Sequence, residues 1–222
     1  MLKHALMATA ITFAAVSAQA QTVLISEGFD DFNSLTGNGW VLTNLSTSGG
    51  TSSWFQGIGG SGGIFDSQAG APSAYIGADF NNSGIGGTIS NWLISPTFST
   101  AVAGTVSFWA KAAISAPSFD QIAFGLSTGS STTGAFALGS TVTLVGAWTQ
   151  YNVNFEAQGA GSVGRFAIEY IGSYDDSNYI GIDTFAVTTI ATAPVPEPST
   201  YALMALGLAG VAAVARRRRA AR

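Results

Sequence analysis

Apolar residues form unbroken runs only near the two ends of this chain; between the ends they recur with a period of two. That contrast favours one architecture: a sheet-built body with a short apolar segment at each terminus. The N-terminal segment reads Met1-Leu2-Lys3-His4, then apolar or small residues from Ala5 to Val16, then Ser17-Ala18-Gln19-Ala20. A positive start, a short apolar stretch and small residues at Ala18 and Ala20 are the parts of a secretory signal peptide over residues 1–20. They predict cleavage after Ala20 by a signal peptidase, because small side chains let the enzyme grip extended backbone.

The C-terminal segment has the opposite polarity. Residues 201–215, Tyr201 to Ala215, are apolar or small, and Arg216, Arg217, Arg218 and Arg219 follow within a basic tail over 216–222. As a helix, a run of that length rises about 22 Å, short of a hydrocarbon core of roughly 30 Å. Snorkelling arginines make up part of the deficit. The arginine cluster favours a cytoplasmic C-terminus, so the body of the chain is expected outside the cytoplasm, held in the membrane through this helix and then displayed or released. Val195, Pro196, Glu197 and Pro198 sit in a linker over 191–200. The two prolines hold an extended, helix-incompatible stretch that an enzyme can reach, and Glu197 gives it one charge.

Together, Val195-Pro196-Glu197-Pro198, the apolar run and the arginine cluster resemble the PEP-CTERM sorting signal of bacteria that make extracellular polysaccharide. The resemblance covers about the last 28 residues. It implies that an exosortase-type membrane protease reads and processes the tail.

The body, residues 21–190, carries two cations, Lys111 and Arg165, against eleven acids, a net of −9. It has no basic patch, which disfavours nucleic acid and anionic lipid as partners. The sole histidine, His4, leaves with the signal segment, and cysteine is absent. Ser-His and Cys-His triads and His/Cys zinc sites are therefore excluded, and the body is stable without disulfides. Alternating runs at Thr105–Ala110, Gln121–Leu126, Gln150–Phe155, Arg165–Tyr170 and Tyr179–Val187 predict strands. Tyr151, Val153 and Phe155 share one face of their run and amides the other; Phe166, Ile168 and Tyr170 point inward from theirs. The expected fold is all-β, an antiparallel jelly-roll-like β-sandwich. Its glycine-rich loops, such as Gly57 to Gly63, read as turns and not as phosphate cradles.

Glu27-Gly28-Phe29-Asp30, Gly39-Trp40-Val41-Leu42, Thr51-Ser52-Ser53-Trp54-Phe55-Gln56-Gly57, Ala74-Tyr75-Ile76, Asn91-Trp92-Leu93-Ile94-Ser95-Pro96, Val106-Ser107-Phe108-Trp109 and Ile182-Asp183-Thr184-Phe185 come in that order. The set resembles the choice-of-anchor J domain, related to cleaved-adhesin and MAM-like jelly rolls. The resemblance implies a surface or matrix role and specifies no ligand. In such jelly rolls a structural calcium often sits where the first and last strands meet, and Glu27, Asp30 and Asp183 occupy the matching places. Asp175-Asp176-Ser177-Asn178 is a second acidic loop whose oxygens suit the same ion.

Three readings of function follow. The first is a non-enzymatic exported protein of the cell surface or a polysaccharide-rich matrix, requiring no cofactor. The second is a carbohydrate-binding adhesion module. All five tryptophans, Trp40, Trp54, Trp92, Trp109 and Trp148, could stack on sugars, but in or beside strand runs they read more readily as core; Trp54 and Phe55, beside the glycine-rich loop, are the first candidates for a glycan contact. The third is a secreted polysaccharide hydrolase, which needs two acids facing one cleft; Glu27, Glu156 and Glu169 are available.

Overall fold

The computed structural model describes residues 21–115, 118–128, 136–139, 141–190 and 198–220. They fall into a β-body within Gln21–Ala191 and a helix near the C-terminus. The body has thirteen strands: β1 (Gln21–Glu27), β2 (Val41–Asn44), β3 (Phe55–Gln56), β4 (Ile76–Asp79), β5 (Thr88–Ile94), β6 (Phe98–Ser99) and β7 (Gly104–Ala112), then β8 (Gln121–Thr128), β9 (Phe136–Leu138), β10 (Val142–Thr143), β11 (Thr149–Phe155), β12 (Val163–Ser173) and β13 (Tyr179–Ile190). One sheet runs β11-β7-β13-β4-β3, with β1 also lying along β13. The other runs β10-β8-β12-β5-β2, with β6 on β12 and β9 on β8. Every pairing is antiparallel. From β7 on, the long strands alternate between sheets, as expected of a jelly-roll-like sandwich.

The period of two is visible in the packing. Along β7, Val106, Phe108, Ala110 and Ala112 are buried while Thr105, Ser107, Trp109 and Lys111 are half-buried on the outer face. The inner faces meet around Phe108, whose ring lies 5.1 Å from Phe124, 5.4 Å from Tyr151 and 5.8 Å from Phe166. Trp40 meets Phe29 and Phe185 edge-on at 5.2 and 5.0 Å, a geometry that aims positive ring edges at negative ring faces.

The Trp92-Leu93-Ile94-Ser95-Pro96 segment fastens the second sheet. Ser95 N donates to Phe166 O at 2.8 Å, and Phe166 N donates to Ser95 Oγ at 2.9 Å. Arg165 Nη1 donates to the carbonyls of Ser95 and Gly39. Asn82 and Asn91 are buried and linked, Asn91 Nδ2 donating to Asn82 Oδ1 at 2.7 Å. Asn82 in turn donates to Ser52 Oγ and Ser53 O, which ties the loop before β3 to β5.

Candidate functional site

Two places carry the residues singled out by the sequence: the tail and the sandwich. In the tail, helix α1 spans Pro198–Ala220. Its start suits proline, which lacks the N–H that the first helical turn leaves unpaired. The helix exceeds the expected 201–215 at both ends and takes in Arg216 to Arg219, so the basic tail is helical through Ala220. Arginine is a good helix former, and positive charge in the last turn complements the helix dipole. Leu203, Met204, Leu206, Leu208, Val211 and Val214 are all exposed, between 54% and 70%, and no side of the helix is polar until the arginines. Among the described residues, no helix is long and apolar enough to cross a membrane. This corrects the expectation of a transmembrane helix: the apolar stretch stops where the arginines begin. Val195, Pro196 and Glu197 lie outside the described residues, as do Ala18 and Ala20.

In the sandwich, Glu27, Asp30 and Asp183 share one corner. Glu27 ends β1 opposite Phe185 of β13, where the ladder from β13 to β7 slips between Asp183 and Ala186. Phe29 and Thr184 both adopt positive φ there, 53° and 48°, conformations that a non-glycine residue keeps only when its surroundings hold it. Asp183 supplies that hold at Thr184. Its carboxylate is 0% exposed; Oδ2 accepts from Gln68 N at 2.7 Å and Ala69 N at 3.1 Å, and Oδ1 accepts from Thr184 N and Oγ1. Burial pushes its carboxyl above the ordinary value, and the N–H donors of Ala69, Gln68 and Thr184 oppose that shift. Glu27 Oε1 accepts from Phe29 N at 2.8 Å. Gln56, which lies in a resemblance segment but to which the sequence assigns no role, ties the same corner: its Nε2 donates to Phe29 O and Ser73 O, and its Oε1 accepts from Phe32 N.

These donors decide what the corner can hold. Inward-pointing N–H groups suit an anion, and Asp183 is that anion. Among the described residues no three acidic side chains converge on a point that could hold a metal ion. The three acids share a corner in which backbone N–H donors hold the buried carboxylate of Asp183. In the second acidic loop, Asp176 Oδ2 accepts from Ser173 Oγ, and Ser173 Oγ accepts from Asp176 N.

The outer face of the β11-β7-β13-β4-β3 sheet carries a second aromatic cluster. Phe65, from the loop between β3 and β4, stacks on Tyr75 at 5.1 Å and meets Trp148 and Tyr179 edge-on. Tyr179 Oη donates to Tyr75 Oη at 3.0 Å, and both oxygens accept from Ile58 N. Burial pushes both phenols above their ordinary value. Lys111 Nζ sits 4.5 Å from the Phe65 ring centre. Phe55 packs against Tyr179 in this cluster, 5.9 Å between ring centres. Trp54, one residue earlier, points the other way into the core at 3% exposure. The glycan contact expected of Trp54 is corrected: strand alternation sends one of two neighbouring aromatic residues inward, and here it is the tryptophan.

The three candidate catalytic acids lie on separate elements. Glu27 ends β1 in one sheet. Glu169 lies on β12 in the other sheet and accepts from Ser90 Oγ at 2.6 Å. Glu156 follows β11 and lines a depression of about 80 Å³ with Thr100, Leu126, Ser127, Phe155 and Gln158, none of them a second acid.

Residues 194–219 match the family described as the PEP-CTERM protein-sorting motif. No curated protein matches the chain. The structure is similar to three cleaved adhesin domains of Lys-gingipain from Porphyromonas gingivalis. The K3 domain is 19% identical with a TM-score of 0.54, over 76% of this chain and 99% of that one. The K1 domain is 20% identical with a TM-score of 0.53, over 78% and 99%. The K2 domain is 16% identical with a TM-score of 0.51, over 76% and 97%. At these identities the likeness concerns the fold: a cleaved-adhesin-like β-sandwich ahead of a PEP-CTERM sorting motif.

Proposed function

We propose that this chain is an exported bacterial protein whose β-sandwich is displayed at the cell surface or in an extracellular polysaccharide matrix after its tail is processed by an exosortase-type protease. A signal peptidase removes residues 1–20. The sorting signal over 194–219 holds the chain at the membrane until the protease reads Pro196-Glu197-Pro198. The single observation that carries the reading is the ordered match of motif, apolar helix and arginine cluster over those residues. The helix supports it physically: a helix apolar on all sides needs lipid or a partner to cover it, and this one is too short to be a durable anchor by itself. A transient hold followed by cleavage suits that length. The acidic sandwich acts as a non-enzymatic module.

The intact mass of the protein recovered from a bacterium that carries an exosortase tests the reading. The expected chain begins at Gln21 and ends near Pro196, and a Pro196→Ala, Glu197→Gln double variant keeps its tail. Recovery of the unprocessed 222-residue chain from the cell interior overturns it.

A further inference from the structure

Four of the five tryptophans have a structural role. Trp40 and Trp54 fill the core. Trp92 donates its indole N–H to Ser90 Oγ and meets the Phe136 ring. Trp148 donates to Asp66 O and closes the outer aromatic cluster. Trp109 differs from all of them. It is half-buried, lies outside the core and, among the described residues, meets no other aromatic ring.

Its surroundings are specific. Trp109 lies on the outer face of β7 and pairs in register with Gln150 of the edge strand β11. The next pairs along the same face are Ser107 with Asn152 and Thr105 with Asn154. Gln150, Asn152 and Asn154 are exposed, and within the described residues no hydrogen bond engages the amides of Gln150 or Asn152. Thr105 Oγ1 donates to Asn154 Oδ1 at 2.8 Å, which fixes that amide with its Nδ2 free to donate. Alternate residues on a strand stand about 7 Å apart, so these three pairs make a strip roughly 14 Å long, and Lys111 and Trp148 extend it at the Trp109 end.

We propose that this strip along β7 and β11, centred on Trp109, binds the chain of an uncharged polysaccharide. A pyranose ring offers an apolar face and a rim of hydroxyls, each hydroxyl both donor and acceptor. A half-buried indole supplies a flat apolar surface at low entropic cost, and a row of amides supplies matching donors and acceptors. The open edge beside β11 lets an extended chain lie along the strands. Charge selects the class. The strip contributes no exposed carboxylate and one cation, Lys111, already placed over Phe65 and Trp148, while the whole sandwich carries −9 and repels polyanions.

Binding to xylan, mannan and a mixed-linkage β-glucan as neutral probes, and to alginate and polygalacturonate as acidic ones, tests this. The full-length chain is used in a detergent without a sugar headgroup, with calorimetry and quenching of indole fluorescence as readouts. At least one neutral polymer is expected to bind. Trp109→Ala is expected to weaken that binding about thirtyfold, the loss typical of removing a tryptophan anchor. Trp109→Phe is expected to keep part of it. Asn152→Ala, a change at an exposed position that leaves the fold intact, is expected to weaken it several-fold. Failure of every neutral polymer, binding only to the acidic ones, or neutral binding indifferent to both Trp109→Ala and Asn152→Ala overturns the proposal. Tail processing is read from mass and glycan binding from the sandwich, so either can fail without the other.

Discussion

Gly181 of β13 carries the weight of the outer aromatic cluster, and giving it a methyl group is the sharpest test of that packing. A Cβ at this position would lie 2.8 Å from Phe65 Cε2, 2.8 Å from Tyr75 Cδ2 and 3.0 Å from Trp148 Cη2. None of the three rings can simply swing aside. Tyr75 is held by Ile58 N and Tyr179, Trp148 by Asp66 O, and Phe65 lies between them. Overpacking of this kind costs about 1–3 kcal/mol, and three rigid neighbours place Gly181→Ala in the upper half of that range. The substitution also removes freedom from the unfolded chain, which returns about 0.4–1 kcal/mol. The net loss is about 1–2.5 kcal/mol. For a domain of this size that lowers the melting temperature by roughly 2–10 °C. Gly139→Ala is the control, since its nearest contact would be Phe124 O at an ordinary 3.6 Å. Thermal melting with near-ultraviolet circular dichroism reads the outcome, because the lifted loop takes its ring–ring signal with it. A Gly181→Ala protein that melts with the wild type and keeps the aromatic spectrum would refute the seating of this loop on bare backbone.

Two further outcomes concern buried carboxylates. Asp120, 2% exposed, accepts from Tyr170 Oη at 2.6 Å and Asn178 N at 2.8 Å; burial pushes its carboxyl above the ordinary value, and the hydrogen bonds from Asn178, Tyr170 and Tyr179 only partly offset this. A raised folded pKa means stability fully present below the unfolded value, about 3.9, and lost as pH rises through the folded one. Melting temperature should therefore fall as pH rises from about 4 toward neutral. Asp120→Asn, which keeps the acceptor and removes the charge, should flatten that slope, while Asp183 maintains a remainder of the same sign; an unchanged slope in Asp120→Asn counts against the assignment. At the corner of Glu27, Asp30 and Asp183, N–H donors already satisfy the buried carboxylate, so chelator should leave the melting temperature unchanged. A chelator-dependent drop of several degrees, restored by calcium, would place an ion there.

The longest strands are legible in the sequence because each carries its own signal. β7, β8, β11, β12 and β13 all alternate over six or more residues, and the inward positions expected for Phe166, Ile168 and Tyr170 are buried. The short strands β3, β6 and β10 span two residues each, too few for a period to show. They exist because longer neighbours offer free backbone groups. The sorting motif is legible for the same reason as the long strands: its parts lie side by side in the sequence.

The meeting of Glu27, Asp30 and Asp183 at one corner is legible through the resemblance, but the hydrogen bonds that hold the corner and the register of the strip are not, and the reason is sequence separation. Asp183 stands out by its place near the end of the domain, but its role depends on Gln68 and Ala69, 115 and 114 residues away. Nothing in either segment announces the other. Trp109 reads as core because an aromatic residue in a strand is more often core than not, yet the neighbour that points inward is Phe108. Strand alternation alone turns Trp109 outward once Phe108 is placed, and the amide face of β11 is apparent from its own run. What no local pattern supplies is the register that sets Trp109 opposite Gln150 and Ser107 opposite Asn152. That register follows from burying Tyr151 against Phe108 and Phe124 on the inner face. Burial on one side of the sheet thus fixes the order of the polar groups on the other, and a slip of a single residue would put the amides in the core and the phenol in water.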